Sequence, residues 1–522
     1  MAAGDAFRGD SKPTPYSEGV SDPHPSRSAA SPGFNWQTTY ADLPEGFSDP
    51  ADAAPAPDPQ TVVLNEPLAR DLGLDAAALS GETGAAVFTG QSIPPGATPV
   101  AQAYAGHQFG GFTMLGDGRA MLLGEHVTPT GERVDITLKG SGPTAFARRG
   151  DGLATLGPML REHVVSEAMH ALGIPTTRGL AVATTGRQVR RTDLLPGAVL
   201  TRVAASHVRC GTFQYAARAL GPDAVRALAD HVIDRHFPDA ASAEHPHRAM
   251  FEHIVRRQAE LVAGWMSVGF VHGVLNTDNL AVSGETIDYG PCAFLDAYDP
   301  EAVFSSIDRN GRYRYDNQPG ITQWNLARLA EALLPLLGEP GDAGDDAGVA
   351  WATAAVEGFA DRYTAAWRGR LVQKLGLGGS SDADAALGDE LLALMQSVAA
   401  DFTQSFRGLA GDADPQARPA ATVLRDAAGF GPWRDRWWAR LANQPGGPDA
   451  AAMRLRAVNP AVIPRNRALQ DALDAAEMRN ELKPVRRLLT LLSHPFDDPA
   501  DATDLTAPPP AGAPRFATYC GT

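Results

Sequence analysis

The sequence predicts an α+β chain of two lobes: a strand-rich N-terminal lobe with one key helix, then a larger helical lobe continuing into a helical C-terminal extension. Three observations predict it. The chain has 522 residues, more than a single hydrophobic core holds. Between 96 and 205 apolar and polar residues alternate in short runs, interrupted by one stretch of helical spacing. From about 210 onward the helical spacing dominates. The expected division is a disordered, Pro-rich polar tail at 1–35, an N-terminal extension at 36–95, the strand-rich lobe at 96–205, the helical lobe at 206–370, and a helical region with a flexible tail at 371–522. Ala/Asp/Pro/Gly stretches at 49–59, 338–349, 376–388, 409–420 and 497–514 read as linkers or surface insertions.

Taken in order, the segment 118–125 is a strand candidate, and 134–139 alternates cleanly. Val134, Ile136 and Leu138 share one face of that strand, and Asp135, Thr137 and Lys139 the other. A helix should start near Pro158, which suits a first turn, and stop at Gly173. Leu160, Val164, Ala168 and Leu172 repeat every fourth residue along it, with Glu162, Val165 and Met169 on a neighbouring face. Strand pieces follow at 179–184, 187–192 and 197–203. A helix near 249–266 then leads into the apolar run 268–271 and into His272. A cleft between the lobes is the natural ligand site.

Composition narrows the function. A net charge of −16 argues against a nucleic-acid or anionic-membrane partner, though a local Arg/Lys cluster can still hold a nucleotide. Three cysteines, Cys210, Cys292 and Cys520, without a CxxC pair, give neither a disulfide framework nor a zinc site. The lack of an apolar run of about 18 residues predicts no membrane span. The polar N-terminus, with Asp5, Asp10, Glu18 and Asp22, resembles neither a secretory nor a mitochondrial signal, so a cytoplasmic location is expected.

The strongest motif is 272–279, His-Gly-Val-Leu-Asn-Thr-Asp-Asn, followed by Asp288-Tyr289-Gly290. Protein-kinase catalytic loops carry an Asn that, with the Asp of a later Asp-Phe-Gly, holds Mg²⁺ on phosphates. Asn279 and Asp288 occupy those places; Val274 stands where the kinase catalytic Asp belongs, and Asp278 is an extra carboxylate. The bland alternative for such a stretch is a turn. Lys139 on a strand and Glu162 on the next helix repeat the kinase lysine–glutamate pair, and the full ordered set predicts a protein-kinase-like bilobal fold. The glycine-rich segment 110–119 fits either a phosphate-facing loop or an ordinary hairpin turn. Arg202 and Arg209 flank the lobe junction and suit phosphate oxygens, or are merely exposed. HExxH, Gly-x-Ser-x-Gly and Walker A sequences are missing.

These residues together resemble the selenoprotein O family of pseudokinases that act as protein adenylyltransferases. The resemblance rests on 104–110, 116–119, 138–142, 151–152, 166–177, 272–279 and 288–291. It implies AMP transfer from ATP to Ser, Thr or Tyr hydroxyls of protein substrates, with UMP from UTP also compatible, on a nucleotide lying reversed relative to kinases. It implies nucleotide contacts from Gly116, Gly118, Arg119, Lys139, Asp151, Gly152, Arg202, Arg209 and Asp288. Glu162 would orient Lys139, Asn279 and Asp288 would hold Mg²⁺ or Mn²⁺, and Asp278 would be the general base. It further implies a redox pair of Cys520 with an activation-segment cysteine, for which Cys292 is the candidate. The competing readings are a small-molecule kinase of the antibiotic-phosphotransferase type, disfavoured by Val274, and an ATP-binding scaffold without activity.

Overall fold

Alternation in the N-terminal part resolves into one antiparallel sheet. The computed structural model describes residues 32–338, 346–379, 381–413, 421–424, 427–510 and 512–519. In chain order the first elements are β1 (Trp36–Gln37), β2 (Ser48–Pro50), β3 (Gln60–Leu64), α1 (Glu66–Asp71), α2 (Ala76–Leu79), α3 (Glu82–Phe88) and β4 (Val100–Gln102). A hairpin of β5 (Ala105–Gln108) and β6 (Gly111–Met114) follows, then β7 (Ala120–Val127), β8 (Arg133–Lys139), α4 (Leu156–Ala171), β9 (Arg178–Arg190) and β10 (Leu194–Ala204). The sheet order is β2-β4-β7-β8-β10-β9-β3, with β1 also on β7. The residues read as an N-terminal extension therefore supply three strands of this sheet and the helices on its outer face. The pieces read as strands at 179–184 and 187–192 are one continuous strand, β9.

The two faces of the sheet bury different things. Ile136 and Leu138 pack with Met121, Leu123, Val199 and Val203 under Leu68 and Phe88 of α1 and α3. The opposite face packs Leu122, Val182 and Leu200 against Met159, Leu160 and Val164 of α4. Lys139 lies on this α4 side. Its register partner is Leu200, and Arg202 pairs with Thr137, so Lys139 and Arg202 share that face as diagonal neighbours. The apolar face of 134–139 thus points outward to α1–α3, and the polar face points inward to α4.

α4 follows Thr155 and ends at Leu172, with Gly173 in the left-handed region at φ +74°. Arg161, Glu162 and His163 are buried along with its apolar stripe. Glu162 meets Lys139 and Arg202 of the sheet, Arg161 meets the carbonyls of Tyr289, Gly290 and Cys292, and His163 packs against Gly179. Helices Asn466–Arg479 and Lys483–Leu492 also pack on α4, where Glu477 accepts the Gly157 N–H at 2.9 Å.

The rest is predominantly helical: α5 (Cys210–Tyr215), α6 (Pro222–His236), α7 (Pro246–Ser267), α8 (Gln318–Leu337) and α9 (Asp346–Lys374). Between α7 and α8, β11 (Phe270–Val271) pairs antiparallel with β12 (Ala293–Phe294). This short ladder closes 272–292 into one loop that contains both sequence motifs. Four expected linkers are partly helical instead, the one at 497–514 through the short helix Thr503–Thr506. The structure continues α9 back to Asp346 and forms helices Asp382–Ser397 and Phe402–Ala413. Alanine favours helix, Ser381 caps Asp384 N–H, and Leu387, Leu391, Phe406 and Leu409 find a core to enter. Trp433 and Trp437 are core residues, whereas Trp438 is exposed. Residues 1–31 of the expected tail lie outside the described residues, and within its last positions Phe34 stacks on Trp36. Among the described residues no helix is long and apolar enough to cross a membrane.

Glu285 ties the end of β10 to the approach to Asp288, accepting from Ala205 N at 2.9 Å and from Ser283 Oγ at 3.0 Å. Burial pushes its carboxyl up to about 7, against the lowering effect of those hydrogen bonds. A carboxyl raised above its unfolded value of about 4.3 contributes stability fully present below that value and lost as pH rises through the folded value. Thermal unfolding should therefore show Glu285→Gln losing less Tm than the native chain between about pH 5 and about pH 8. Parallel Tm curves for the two proteins would contradict this.

Candidate active site

Three separated pieces of chain meet at Lys139. Its Nζ lies 2.5 Å from Glu162 Oε2 and 3.3 Å from Asp288 Oδ1. Arg202 Nη1 donates to the other Glu162 oxygen at 3.1 Å. Two cations and two carboxylates thus form one network joining β8, β10, α4 and the 272–292 loop. Burial alone would raise the Glu162 carboxyl, but Lys139 and then Arg202 outweigh it and hold it below its ordinary range. For Asp288 burial again opposes ionisation, and Lys139 and then Arg119 overcome it, so it stays a carboxylate. Its side chain is 35% accessible, opening onto the cavity beside Lys139.

The Asp288 turn is held from two sides. Arg161, next to Glu162 on α4, donates to the carbonyls of Tyr289 (3.3 Å), Gly290 (3.0 Å) and Cys292 (2.6 Å). His272 Nε2 lies 3.0 Å from the Ile287 carbonyl, and its backbone N–H donates to Gln318 Oε1 at 2.9 Å. Asp288 itself sits at φ +68°, where a non-glycine residue is strained and persists only if its surroundings impose it. Burial lowers the His272 imidazole below its usual pKa, which favours the neutral ring.

Asp278 differs from Asp288. It is buried, and its Oδ1 has no hydrogen-bond partner. Desolvation raises its carboxyl to about 6, in spite of the Arg209 guanidinium. Gly106 of β5 lies directly against it: a Cβ at 106 would stand 2.2 Å from Asp278 Oδ1. β5 is fixed on this loop by the His107 N–H, which donates to Thr277 Oγ1 at 2.8 Å. Arg209 donates to the Asp278 carbonyl at 3.2 Å, approaches Asp117 Oδ1 at 3.5 Å, and stacks over the Tyr104 ring at 4.3 Å.

Two hollows open here. The smaller, about 90 Å³, is lined by Tyr104, Gly118, Arg119, Lys139, Arg202, Arg209 and Asp288, among others. The larger, about 470 Å³, is mostly apolar and is bounded by α4, Leu195, Leu473 and the C-terminal segment Phe516–Tyr519. Arg119, Lys139 and Asp288 line both, so the hollows adjoin at those three side chains.

The sequence-predicted residues are thus distributed unevenly. Arg119, Lys139, Arg202, Arg209, Glu162 and Asp288 converge. Asp278 and Asn279 stand on the adjoining turn. Gly116 and Gly118 face inward onto the loop at Phe146–Ala147, where a Cβ at Gly116 would stand 2.4 Å from the Phe146 ring. Asp151 is at the rim, paired with Arg191 at 2.8 Å, and Arg191 lines the larger hollow. Gly152 packs against the Gly142–Pro143 backbone. Cys292 is a buried free thiol, raised by desolvation to about 11 and donating to the Tyr289 carbonyl at 3.2 Å. Cys520 lies outside the described residues; Thr518, two positions earlier, donates to the Pro291 carbonyl at 2.7 Å. Sequence reasoning missed Arg161, Gly106, Tyr104 and Asp117, whose roles depend on partners remote along the chain.

A hard divalent cation fits the Asn279–Asp288 pair. The Asn279 amide nitrogen is committed to the Val274 carbonyl at 2.9 Å, which leaves its oxygen as the ligand atom, and Asp288 offers an accessible carboxylate. Among the described residues no cluster of three or more His, Cys, Asp or Glu could hold a metal alone. That donor set suits a cation such as Mg²⁺, which takes one or two protein oxygens and completes its shell with phosphates and water.

An arginine-lined hollow adjoins an apolar cavity at Lys139 and Asp288, and comparison with known proteins makes the class a protein nucleotidyltransferase. A family model described as protein adenylyltransferase SelO matches residues 32–493. The chain is 50% identical over 492 residues to the protein nucleotidyltransferase YdiU of Halalkalibacterium halodurans, covering 94% of this chain and 98% of that one. It is 52% identical over 498 residues to the protein of the same name from Methylorubrum populi, covering 94% and 99%. The chain belongs to the SelO family.

The close packing of β5 on Asp278 predicts that Gly106→Ala displaces that carboxylate. Steady-state transfer should fall by roughly 10²-fold, the cost of about 1 Å of misplacement. Fluorescent-nucleotide titration should show ATP affinity nearly unchanged. Undiminished transfer by Gly106→Ala would remove Asp278 from the reaction.

Proposed function

We propose that the chain transfers AMP from ATP to Ser, Thr or Tyr hydroxyls of other proteins and releases pyrophosphate, in a protein-kinase-like bilobal arrangement of a lobe at 96–205, a lobe at 206–370 and a helical region at 371–522. The observation that carries this is the meeting of the two hollows at Arg119, Lys139 and Asp288. Phosphates belong with Arg202 and Arg209 in the smaller hollow, and the nucleoside in the larger apolar one. The α-phosphate then falls at the junction, reversed relative to a kinase. UTP meets the same phosphate contacts, so UMP transfer is compatible with them.

In this reading Lys139, Arg119, Arg202 and Arg209 bind the triphosphate, and Glu162 and Arg161 hold Lys139 and the Asp288 turn in place. Gly116, Gly118, Asp151 and Gly152 shape the rim through the loops they pack. Asn279 and Asp288 hold Mg²⁺ or Mn²⁺, which when bound neutralises charge on the phosphate oxygens. Asp278 accepts the proton of the acceptor hydroxyl as its oxygen bonds to the α-phosphorus. The α–β bridging bond breaks, and pyrophosphate leaves with the bonding electrons. A carboxyl raised to about 6 suits that task, since a base works best with a pKa near the working pH. Val274, buried and apolar at the kinase Asp position, offers no base for γ-phosphoryl transfer. The buried free thiols Cys210 and Cys292 agree with a reducing, cytoplasmic setting.

Incubation with ATP labelled at the α- or γ-phosphate tests the reaction: α-label should become protein-bound and γ-label should leave as pyrophosphate. Protein-bound γ-label, or no transfer of either, overturns it. Asp278→Ala should lose at least about 10²-fold in transfer yet retain ATP binding. Asp288→Ala should abolish the dependence of nucleotide binding on divalent cation, as calorimetry with and without Mg²⁺ would show; a tight Mg·ATP complex in that variant counts against its role.

A further inference from the structure

Beside the catalytic turn lies a third hollow that the nucleotide chemistry leaves unused. It is a groove of about 510 Å³ between Phe109 at the β5–β6 turn and the segment 307–314. Its walls combine two features that a solvated surface seldom brings together. Phe109, Phe112, Met114 and Ile307 are exposed by 42%, 43%, 42% and 49%. Phe109 and Ile307 line the groove itself, and Phe112 and Met114 stand on β6 of the same hairpin as Phe109. Beside them stand guanidinium groups without carboxylate partners. Arg309 is exposed and makes no ion pair among the described residues, and Arg312 makes none either. Arg312 is instead braced by cation–π contacts with Trp324 at 4.8 Å and Tyr313 at 5.7 Å, and its Nε is buried without a hydrogen-bond partner. The nearby carboxylates are engaged: Asp308 accepts the backbone N–H groups of Arg312 and Tyr313, Asp316 pairs with Arg314, and Glu331 pairs with Arg328.

The groove is wired to the catalytic turn. The Tyr313 hydroxyl donates to Asn276 Oδ1 at 2.5 Å, and the Phe109 N–H reaches the same oxygen at 3.2 Å. Asn276 precedes Asp278 by two residues. The same hairpin that presents Phe109 to the groove presses Gly106 against Asp278. Three extended residues span roughly 10 Å, so a chain lying in the groove delivers a residue a few positions away to the carboxylate.

Resting on the transfer reaction above, we infer that this groove docks the acceptor protein through an extended acidic segment. An apolar side chain of that segment anchors on Phe109 and Ile307, its carboxylates meet Arg309 and Arg312, and the acceptor hydroxyl lies roughly three to five residues away. Charge selects this occupant. On a chain of net charge −16, unpaired arginines at one groove concentrate an anionic segment there, while the rest of the surface repels it.

The test uses the full chain and two fluorescent peptides of equal length, each with a Leu and a Ser, one flanked by Asp and Glu and the other by Lys. Anisotropy should show the acidic peptide binding with salt-sensitive affinity and the Lys peptide not binding. Arg309→Glu with Arg312→Glu should weaken the acidic peptide roughly ten-fold or more, while Lys483→Glu with Arg486→Glu, an equal charge change at exposed positions that do not line the groove, should not. Retained Mg·ATP binding by the double variant shows that it is folded, and Arg309→Ala alone, at an exposed site, gives a second reading. Equal binding of the two peptides, or affinity unchanged in both Arg309 variants, overturns the proposal. Because binding is read without turnover, peptide binding without AMP transfer would reject the reaction while leaving the docking site standing.

Discussion

The organisation of this molecule depends on one buried ionic network, in which Lys139 and Arg202 face Glu162 and Asp288. Removing such charges from water costs several kcal/mol per ion, and only close, mutually satisfied partners offset it. The network therefore cannot tolerate partial assembly. Its four members come from β8, β10, α4 and the loop between β11 and β12, so satisfying it fixes the sheet, the helix and the Asp288 turn relative to one another. Arg161 extends the same constraint by holding three consecutive-region carbonyls around the Asp288 turn. The strained φ of Asp288 is one consequence: the turn is imposed by its partners.

The network also separates the behaviour of two carboxylates ten positions apart. Asp288 faces Lys139 and Arg119, which hold its carboxyl below its ordinary range. Asp278 lies behind Gly106 with one oxygen unpartnered, where desolvation dominates and its pKa rises to about 6. Environments that push paired acidic groups in opposite directions assign them different chemical roles. Arg209 limits the effect by standing near both the Asp278 backbone and the Asp117 carboxylate.

The C-terminal region contributes by enclosure. Helices Asn466–Arg479 and Lys483–Leu492 both pack against α4, and Glu477 of the first accepts the Gly157 N–H. Phe516–Tyr519 then form one wall of the larger hollow, and Thr518 bonds both the Pro291 carbonyl and, through its backbone, Phe304 and Ser306. The low dielectric that strengthens the Lys139 contacts is thus assembled in part by residues more than 300 positions away.

The sequence by itself determined the local elements and the identities of the groups. Alternation at 134–139 placed Lys139 opposite Ile136 and Leu138, four-residue spacing marked α4, and the order Lys139, Glu162, Asn279, Asp288 named the polar set. These are properties of strand and helix periodicity, legible wherever a chain stays regular. The tertiary structure alone decided what those groups touch. Arg161 and Gly106 drew no role from the sequence, and the Ala/Asp/Pro/Gly stretches at 376–388 and 409–420 read as linkers, until contacts in the fold gave the two residues and the helical parts of those stretches their meaning. Contact across hundreds of residues leaves no period in the sequence, because it depends on how separately regular pieces pack and on which charges are left to face one another.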